Sequence, residues 1–283
     1  MNALFKLIRI PNLIIIGITL SLLYYNAEKQ TLAWFNFLML GLGTICIAAA
    51  GNVINDILDV EIDLINKKNR VVVGQLISVQ RAWILYFFLN IVALGLSVCL
   101  RSMDLFLFFL GAILLLYFYS TAWKRQVLIG NLVVAFLCSW VVIEFWWFSY
   151  ASLTPYWHGI LLVYTVFAFL STLVRELVKD LEDLEGDALQ GCRTLAIQKG
   201  APFVKKTILI LLSFLLILLI AEARFFNAYS AYLAFVYLII ALIFPLFYLM
   251  RTVCYANVAS DFGRISRLVK AYMLLGLLLL LLV

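Results

Sequence analysis

The sequence predicts an all-α fold: a polytopic membrane protein of about nine transmembrane helices around a central cavity open to the cytoplasmic side. Three observations lead there. Of 283 residues, 66% are hydrophobic and only 13% charged, against roughly 25% charged in a soluble domain, which is too little charge to cover a water-exposed surface. The apolar residues collect in nine long runs, each near the ~20 residues that a spanning helix needs. The Lys and Arg residues are segregated to alternate connections, as short cytoplasmic loops require.

The runs are taken in order. Ile10–Tyr25 contains Pro11 and Asn12 and is followed by no small-x-small cleavage pattern, so it reads as a first span and not as a cleaved signal peptide. Leu32–Ile54 ends directly on an acidic segment. Ala82–Leu100 and Leu105–Ala122 are divided by a short link at Arg101, and the second of them closes on Tyr119 and Lys124. Val127–Phe148 carries Asn131 and Glu144, the latter beside Trp146 and Trp147 and expected to reach the outer interface or stay protonated. Gly159–Val174 runs into a second acidic segment. Thr207–Ala221, Ala228–Met250 and Leu268–Val283 complete the set, with Pro245 expected to mark a kink. The shortest runs are expected to continue as helix into their polar flanks.

With the N-terminus inside, 18 of the 21 basic residues fall on inner segments, and only Lys29, Arg101 and Arg224 lie outside. That asymmetry supports the span order and orientation. The net charge of +6 then belongs to a cytoplasmic rim in contact with anionic lipid. No nucleic-acid motif is present, so a nucleic-acid partner is not expected. The five cysteines, Cys46, Cys99, Cys138, Cys192 and Cys254, are scattered singly with no C-x-x-C, which suggests neither a disulfide framework nor a zinc site. They read as small packing residues. The lone histidine, His158, is expected to be exposed in an outer loop. Residues 1–283 read as a single membrane domain.

Ten of the 15 acidic residues occupy two short segments. Asp56-x-x-Asp59-x-x-x-Asp63 and Asp180-x-x-Asp183-x-x-x-Asp187 share one spacing at an offset of 124 residues. On a helix, positions i, i+3 and i+7 fall within about 60° of each other, so each segment is expected to present three carboxylates on one face. Each follows an even-numbered span and so lies on the cytoplasmic side. Two carboxylates ~4 Å apart repel by about 4 kcal/mol at an effective dielectric of 20, so a cation must offset them. Carboxylate oxygens without His or Cys select hard divalent ions, and Mg²⁺ is typically held by a few carboxylates plus the oxygens of a phosphorylated substrate. The basic residues nearby (Lys67, Lys68, Arg70, Lys124, Arg125, Arg175 and Lys179) would suit a metal–diphosphate complex.

These residues resemble the UbiA-type intramembrane prenyltransferases. The first signature is Asn55-Asp56-x-x-Asp59-x-x-x-Asp63-x-x-Asn66 followed by Arg70. The second is Arg175-x-x-x-Lys179-Asp180-x-x-Asp183-x-x-x-Asp187, continued by Gly191-Cys192-Arg193-Thr194-Leu195. A third, Tyr119-Ser120-x-x-x-Lys124-Arg125 with Gly130-Asn131, lies between them, and Arg9-Ile10-Pro11-Asn12 resembles an R-P-x-N with one isoleucine inserted. Two features depart from the pattern. Val71 stands where a proline is usual, and Tyr119 and Lys124 are five residues apart where some members have four.

The resemblance implies transfer of a polyprenyl group, best matched by geranylgeranyl, from its diphosphate donor to a lipophilic or amphiphilic acceptor in the bilayer. Mg²⁺ is the implied cofactor. Asp59, Asp63, Asp183 and Asp187 are its expected ligands, with Asn55 as a neutral oxygen and Asp56 and Asp180 close behind. Arg70, Lys124, Arg175, Lys179 and Arg9 are expected on the diphosphate. Tyr119 would orient it or face the allylic cation, which an aromatic ring can stabilise. The Lys124–Asn131 segment looks most like the branch that prenylates geranylgeranylglyceryl phosphate. Prenylation of an aromatic quinone precursor such as 4-hydroxybenzoate or dihydroxynaphthoate stays open, as does a cation-binding transporter. The expected location is a bacterial or archaeal inner or plasma membrane.

Overall fold

A computed structural model describes residues 3–27, 32–60, 71–189 and 191–283. The described residues within 1–24 and 30–124 form one compact unit, and those within 25–29 and 125–283 a second. Every predicted run is helical over most of its length. α1 (Ala3–Leu7) and α2 (Ile10–Asn26) open the chain, followed by α3 (Trp34–Leu58), α4 (Val79–Cys99) and α5 (Met103–Phe118), which continues into a π turn at Tyr119–Trp123. Then come α6 (Ile129–Ser149), α7 (Pro155–Glu182), the short α8 (Leu184–Leu189) and α9 (Leu195–Lys199), α10 (Ala201–Ala228), α11 (Tyr232–Tyr237), α12 (Phe244–Tyr255) and α13 (Ala259–Leu279). Among the described residues, seven helical stretches are long and apolar enough to cross a membrane, and Ile10–Asn26 is a shorter apolar helix. The chain is therefore a multi-pass integral membrane protein. The α13 helix carries Asp261, Arg264, Arg267 and Lys270 in its first half, so its apolar part is the second half.

The short runs do extend into their flanks. Gly159–Val174 becomes Pro155–Glu182, with proline in the first turn where no N–H is needed. Thr207–Ala221 becomes Ala201–Ala228, which brings Glu222 inside a helix that the apolar run had stopped short of.

In the first unit α3 is the central element. It packs along α4 and α5, and glycines let it approach closely. A Cβ at Gly43 would come within 2.3 Å of the Phe109 ring, so only glycine fits there, as at many membrane helix contacts. In the second unit α7 has that role, packing on α6, α10 and α13. Phe167 of α7 lies over Gly276 of α13, where an added Cβ would be 2.3 Å from the ring.

Pro245 follows a π segment, Leu238–Ile243, in which Phe244 N bonds to Ile239 O. The wider turn precedes the missing proline N–H, a local device for a helix that proline would otherwise break. The α13 start is fixed by Asp261, whose carboxylate accepts from the backbone N–H groups of Asn257 at 2.9 Å and Val258 at 3.2 Å. Those two donors hold its carboxyl below the usual value of 3.8. A depressed carboxyl stabilises the fold above its unfolded value, and that contribution is lost as pH falls through the folded one.

Three expectations need correction. Cys99 and Cys254 are exposed and so do not fill the core. His158 is half-buried in the first turn of α7, its Nδ1 accepting from Trp146 Nε1 at 2.9 Å. Glu144 is 1% exposed, which removes only the first of its two expected outcomes, reaching the outer interface.

A candidate diphosphate and metal site

The first acidic segment is built from the last two turns of α3. Asn52 and Asp56, four residues apart, share one face; Asn55 and Asp59 share the next. The Asn52 Nδ2 donates to Ile8 O at 3.0 Å, satisfying a carbonyl at the break between α1 and α2. Beside it Arg9 donates to Asp56 Oδ1 at 2.9 Å. Arg9 has φ +54°, a left-handed conformation that costs a non-glycine residue on the order of 1–3 kcal/mol. It is held where its guanidinium meets Asp56. Replacing Arg9 by Gly is expected to leave thermal stability near wild type, because relief of strain offsets a half-exposed ion pair, while lowering prenyl transfer. A stability loss above ~2 kcal/mol in thermal unfolding would contradict this balance.

On the adjoining face, Lys124 Nζ donates to Asn55 Oδ1 at 3.1 Å and makes an ion pair with Asp59 Oδ2. A cation thus already sits in the fork between a carboxamide oxygen and a carboxylate. The two acceptor oxygens converge on one positively charged atom, as an all-oxygen site for a hard metal ion requires. Lys124 reaches that fork from the Tyr119–Trp123 π turn, where Lys124 N bonds to Tyr119 O at 2.9 Å. The five-residue Tyr–Lys spacing is accommodated by a bond that itself spans five residues. π turns commonly mark such one-residue expansions at functional sites. Tyr119 is half-buried at the start of this turn.

Below the first motif, Val72 and Val73 are buried in a cluster with Leu7, Val53, Ile54 and Ile57, and Val71 before them is also buried. A tight turn at Gly74 (φ +88°) brings Gly74 N onto Ile77 O at 2.8 Å. Val72 and Val73, the two residues after the valine that stands where a proline is usual, therefore anchor the chain against α3. The segment carrying Asp63, Asn66, Lys67, Lys68 and Arg70 lies outside the described residues.

The second acidic segment lies at the end of α7. Asp180 Oδ2 accepts from Asn131 Nδ2, 2.8 Å away in the first turn of α6. That helix begins after Leu128, whose φ of +63° makes the sharp entry that presents Gly130 and Asn131. Asn131→Ala is expected to cost about 1–3 kcal/mol by leaving Asp180 without this donor, read as a lowered unfolding midpoint. A change below 0.5 kcal/mol, the usual range for a surface substitution, would show the contact to be incidental. Arg175 donates to Glu176 Oε1 at 2.7 Å, and Lys179 is exposed.

The expectation of three carboxylates on one continuous helical face needs revision. In both motifs the helix ends at the middle aspartate. Asp59 closes α3 with φ −93° and ψ −1°, its N–H on Asn55 O; Asp183 closes α7 with φ −95° and ψ 8°, its N–H on Lys179 O. The internal repeat is thus a repeat of backbone geometry as well as of residue type. Past the second break, Asp187 stands on α8 with its N–H on Asp183 O at 2.9 Å. Gly191, at φ +68°, turns the chain, and Thr194 caps α9 by accepting from Ile197 N. Arg193 N bonds to Arg125 O at 3.1 Å. The continuation Gly191–Leu195 is therefore a backbone device that ties the acidic segment down.

The structure brings together Asn55, Asp59 and Lys124, Arg9 and Asp56, and Asn131 and Asp180. Among the described residues it gathers no three of His, Cys, Asp and Glu around one point, and Asp63 is not among those residues. Asn52 and the Asn131–Asp180 contact are the functional features sequence reasoning missed. The signal for Asn52 was its position one turn before Asp56.

The chain is 35% identical to a digeranylgeranylglyceryl phosphate synthase of Sulfurisphaera tokodaii over 75% of this chain and 76% of that one. It is likewise 35% identical to one of Saccharolobus solfataricus over 85% and 82%. Among solved structures, a digeranylgeranylglyceryl phosphate synthase matches with TM-score 0.75 at 25% identity, covering 98% of this chain and 96% of that one. A UbiA homologue of Archaeoglobus fulgidus bound to GPP and Mg²⁺ matches the fold with TM-score 0.66 at 18% identity, covering 96% and 98%. With the UbiA prenyltransferase family model matching residues 15–262, and paired Asp motifs that each end a helix in the same way, the chain belongs to the UbiA prenyltransferase family.

Proposed function

We propose that this enzyme transfers a geranylgeranyl group from its diphosphate to geranylgeranylglyceryl phosphate. The observation that carries the reading is the convergence of Asn55 and Asp59 on the Lys124 ammonium, a cation-binding fork at a membrane helix end. The names of the relatives support the acceptor, and the GPP and Mg²⁺ bound to the A. fulgidus homologue support the donor class and the metal.

Asn55, Asp59 and Asp63 from the first motif and Asp183 and Asp187 from the second are the residues that would hold Mg²⁺, with Asp56 and Asp180 behind them. Bound there, the ion would supply positive charge against the diphosphate as it leaves. Lys124, at the fork, then turns its ammonium to a diphosphate oxygen, and Arg9, Arg70, Arg175 and Lys179 supply further donors. Tyr119 places its ring toward the allylic carbon, where positive charge develops. The surrounding apolar helices keep water from trapping that cation. The N-terminus and both Asp segments would face the cytoplasm of a prokaryotic cell, following the Lys and Arg distribution. A phosphate-bearing acceptor also suits that basic rim.

Purified enzyme with labelled geranylgeranyl diphosphate, offered geranylgeranylglyceryl phosphate, 4-hydroxybenzoate and dihydroxynaphthoate, tests the reading. Product is expected with the first acceptor alone, and none after EDTA. Product on an aromatic acceptor alone would overturn the acceptor assignment, and undiminished product after EDTA would overturn the metal site.

A further inference from the structure

Within the second unit, the link before α6 meets the link before α9. Arg193 N bonds to Arg125 O at 3.1 Å, so two arginines stand on adjoining backbone segments. One residue earlier, Cys192 N bonds to Asp187 O at 3.0 Å, which keeps Arg193 near the last aspartate of the second motif. Both arginines are exposed, and among the described residues no hydrogen bond or ion pair engages either guanidinium. By contrast, Arg9 is already paired with Asp56, Lys124 with Asn55 and Asp59, and Arg175 with Glu176.

Two arginines on adjoining segments repel when their guanidinium groups converge, unless an anion lies between them. Each offers a planar fork of N–H donors that fits phosphate oxygens. A phosphate monoester carries between about 1.5 and 2 negative charges at pH 7, which two arginines match. The acceptor proposed above is such a monoester. Of the three oxygens of its glycerol, one carries the geranylgeranyl ether and one the phosphate, so the third is the reacting hydroxyl. No more than the length of glycerol separates that hydroxyl from the phosphate. The phosphate must therefore lie close to the aspartate motifs, whose carboxylates repel it. A cationic site of its own beside Asp187 meets both conditions.

We propose that Arg125 and Arg193 together bind the phosphate of the acceptor, as a subsite distinct from the cations that bind the donor diphosphate. The inference rests on the acceptor reading above. The pair binds and takes no part in bond making.

Arg125→Gln and Arg193→Gln leave intact the backbone bond that joins the two segments, so both variants are expected to fold. The test uses the full-length enzyme in dodecyl maltoside, an uncharged surfactant, without added lipid. Each variant is expected to raise KM for geranylgeranylglyceryl phosphate about tenfold, and the double variant about 100-fold. KM for geranylgeranyl diphosphate should stay within about twofold of wild type, since the donor keeps its own cations. Arg193→Lys, which keeps a charge but loses the fork, should recover part of the loss. Geranylgeranylglycerol, the same acceptor without its phosphate, should react at one low rate with wild type and double variant. A donor KM that rises as much as the acceptor KM would overturn the proposal by placing the arginines on the diphosphate. An equal loss with geranylgeranylglycerol would overturn it too. If wild type does not prenylate geranylgeranylglyceryl phosphate, the acceptor reading fails, and calorimetric titration of glycerol 1-phosphate then decides the arginine pair. Binding by wild type that the double variant loses supports a phosphate site; binding that is absent or equal overturns it.

Discussion

Asp59→Ala is expected to lower geranylgeranyl transfer by about 10²–10³-fold, the usual effect of removing one group that stabilises developing charge, and Asp59→Ala with Asp183→Ala to abolish it. The reason is the parallel placement of the two side chains. Each sits on the residue that ends its helix, with nearly the same φ and ψ, so neither carboxylate serves helix structure that alanine could not also serve. Asp59 is 17% exposed and paired with a Lys124 side chain that is 33% exposed, and Asp183 is exposed. Both can be lost without collapse, and thermal unfolding of the variants should stay close to wild type. Product formation by the double variant at the wild-type rate would refute the assignment of these aspartates.

Lys124→Gln is expected to change two measurements in opposite directions. Prenyl transfer should fall by about 10²-fold or more, because a cationic donor to the diphosphate is lost. Binding of Mn²⁺ or Mg²⁺ without substrate should tighten by about tenfold, equivalent to roughly 1.4 kcal/mol, because the ammonium that occupies the Asn55–Asp59 fork no longer competes for those oxygens. Calorimetric titration of the metal into wild type and variant separates the two effects. Metal binding that weakens in the variant would mean that Lys124 supports the fork and does not compete for it.

Much of the fold was legible because a bilayer imposes one rule on every span: backbone groups must be satisfied within the segment. Gly159–Val174 and Thr207–Ala221 were both short for a span, and both continue as helix because their flanks lose nothing by staying hydrogen-bonded. The acidic motifs were legible through their shared spacing. Their exact backbone course was not, since a three-residue step between aspartates is as compatible with a helix end as with a helix interior. The π turns were also hidden. Nothing in Tyr119–Trp123 forbids an α-helix, and only the placement of Lys124 against α3 makes the wider turn the one that closes the site.

Residue composition and order alone determined that this chain is a membrane protein of many helices, which ends of those helices carry charge, and that two aspartate motifs repeat. These follow from the cost of polar groups in lipid and the periodicity of charge along one chain. The tertiary structure decided which charges meet: Arg9 with Asp56, Lys124 with Asn55 and Asp59, Asn131 with Asp180. It also left Glu222 buried. Such pairings join residues up to 69 positions apart, and their energy depends on distance and burial, which exist only once helices have packed.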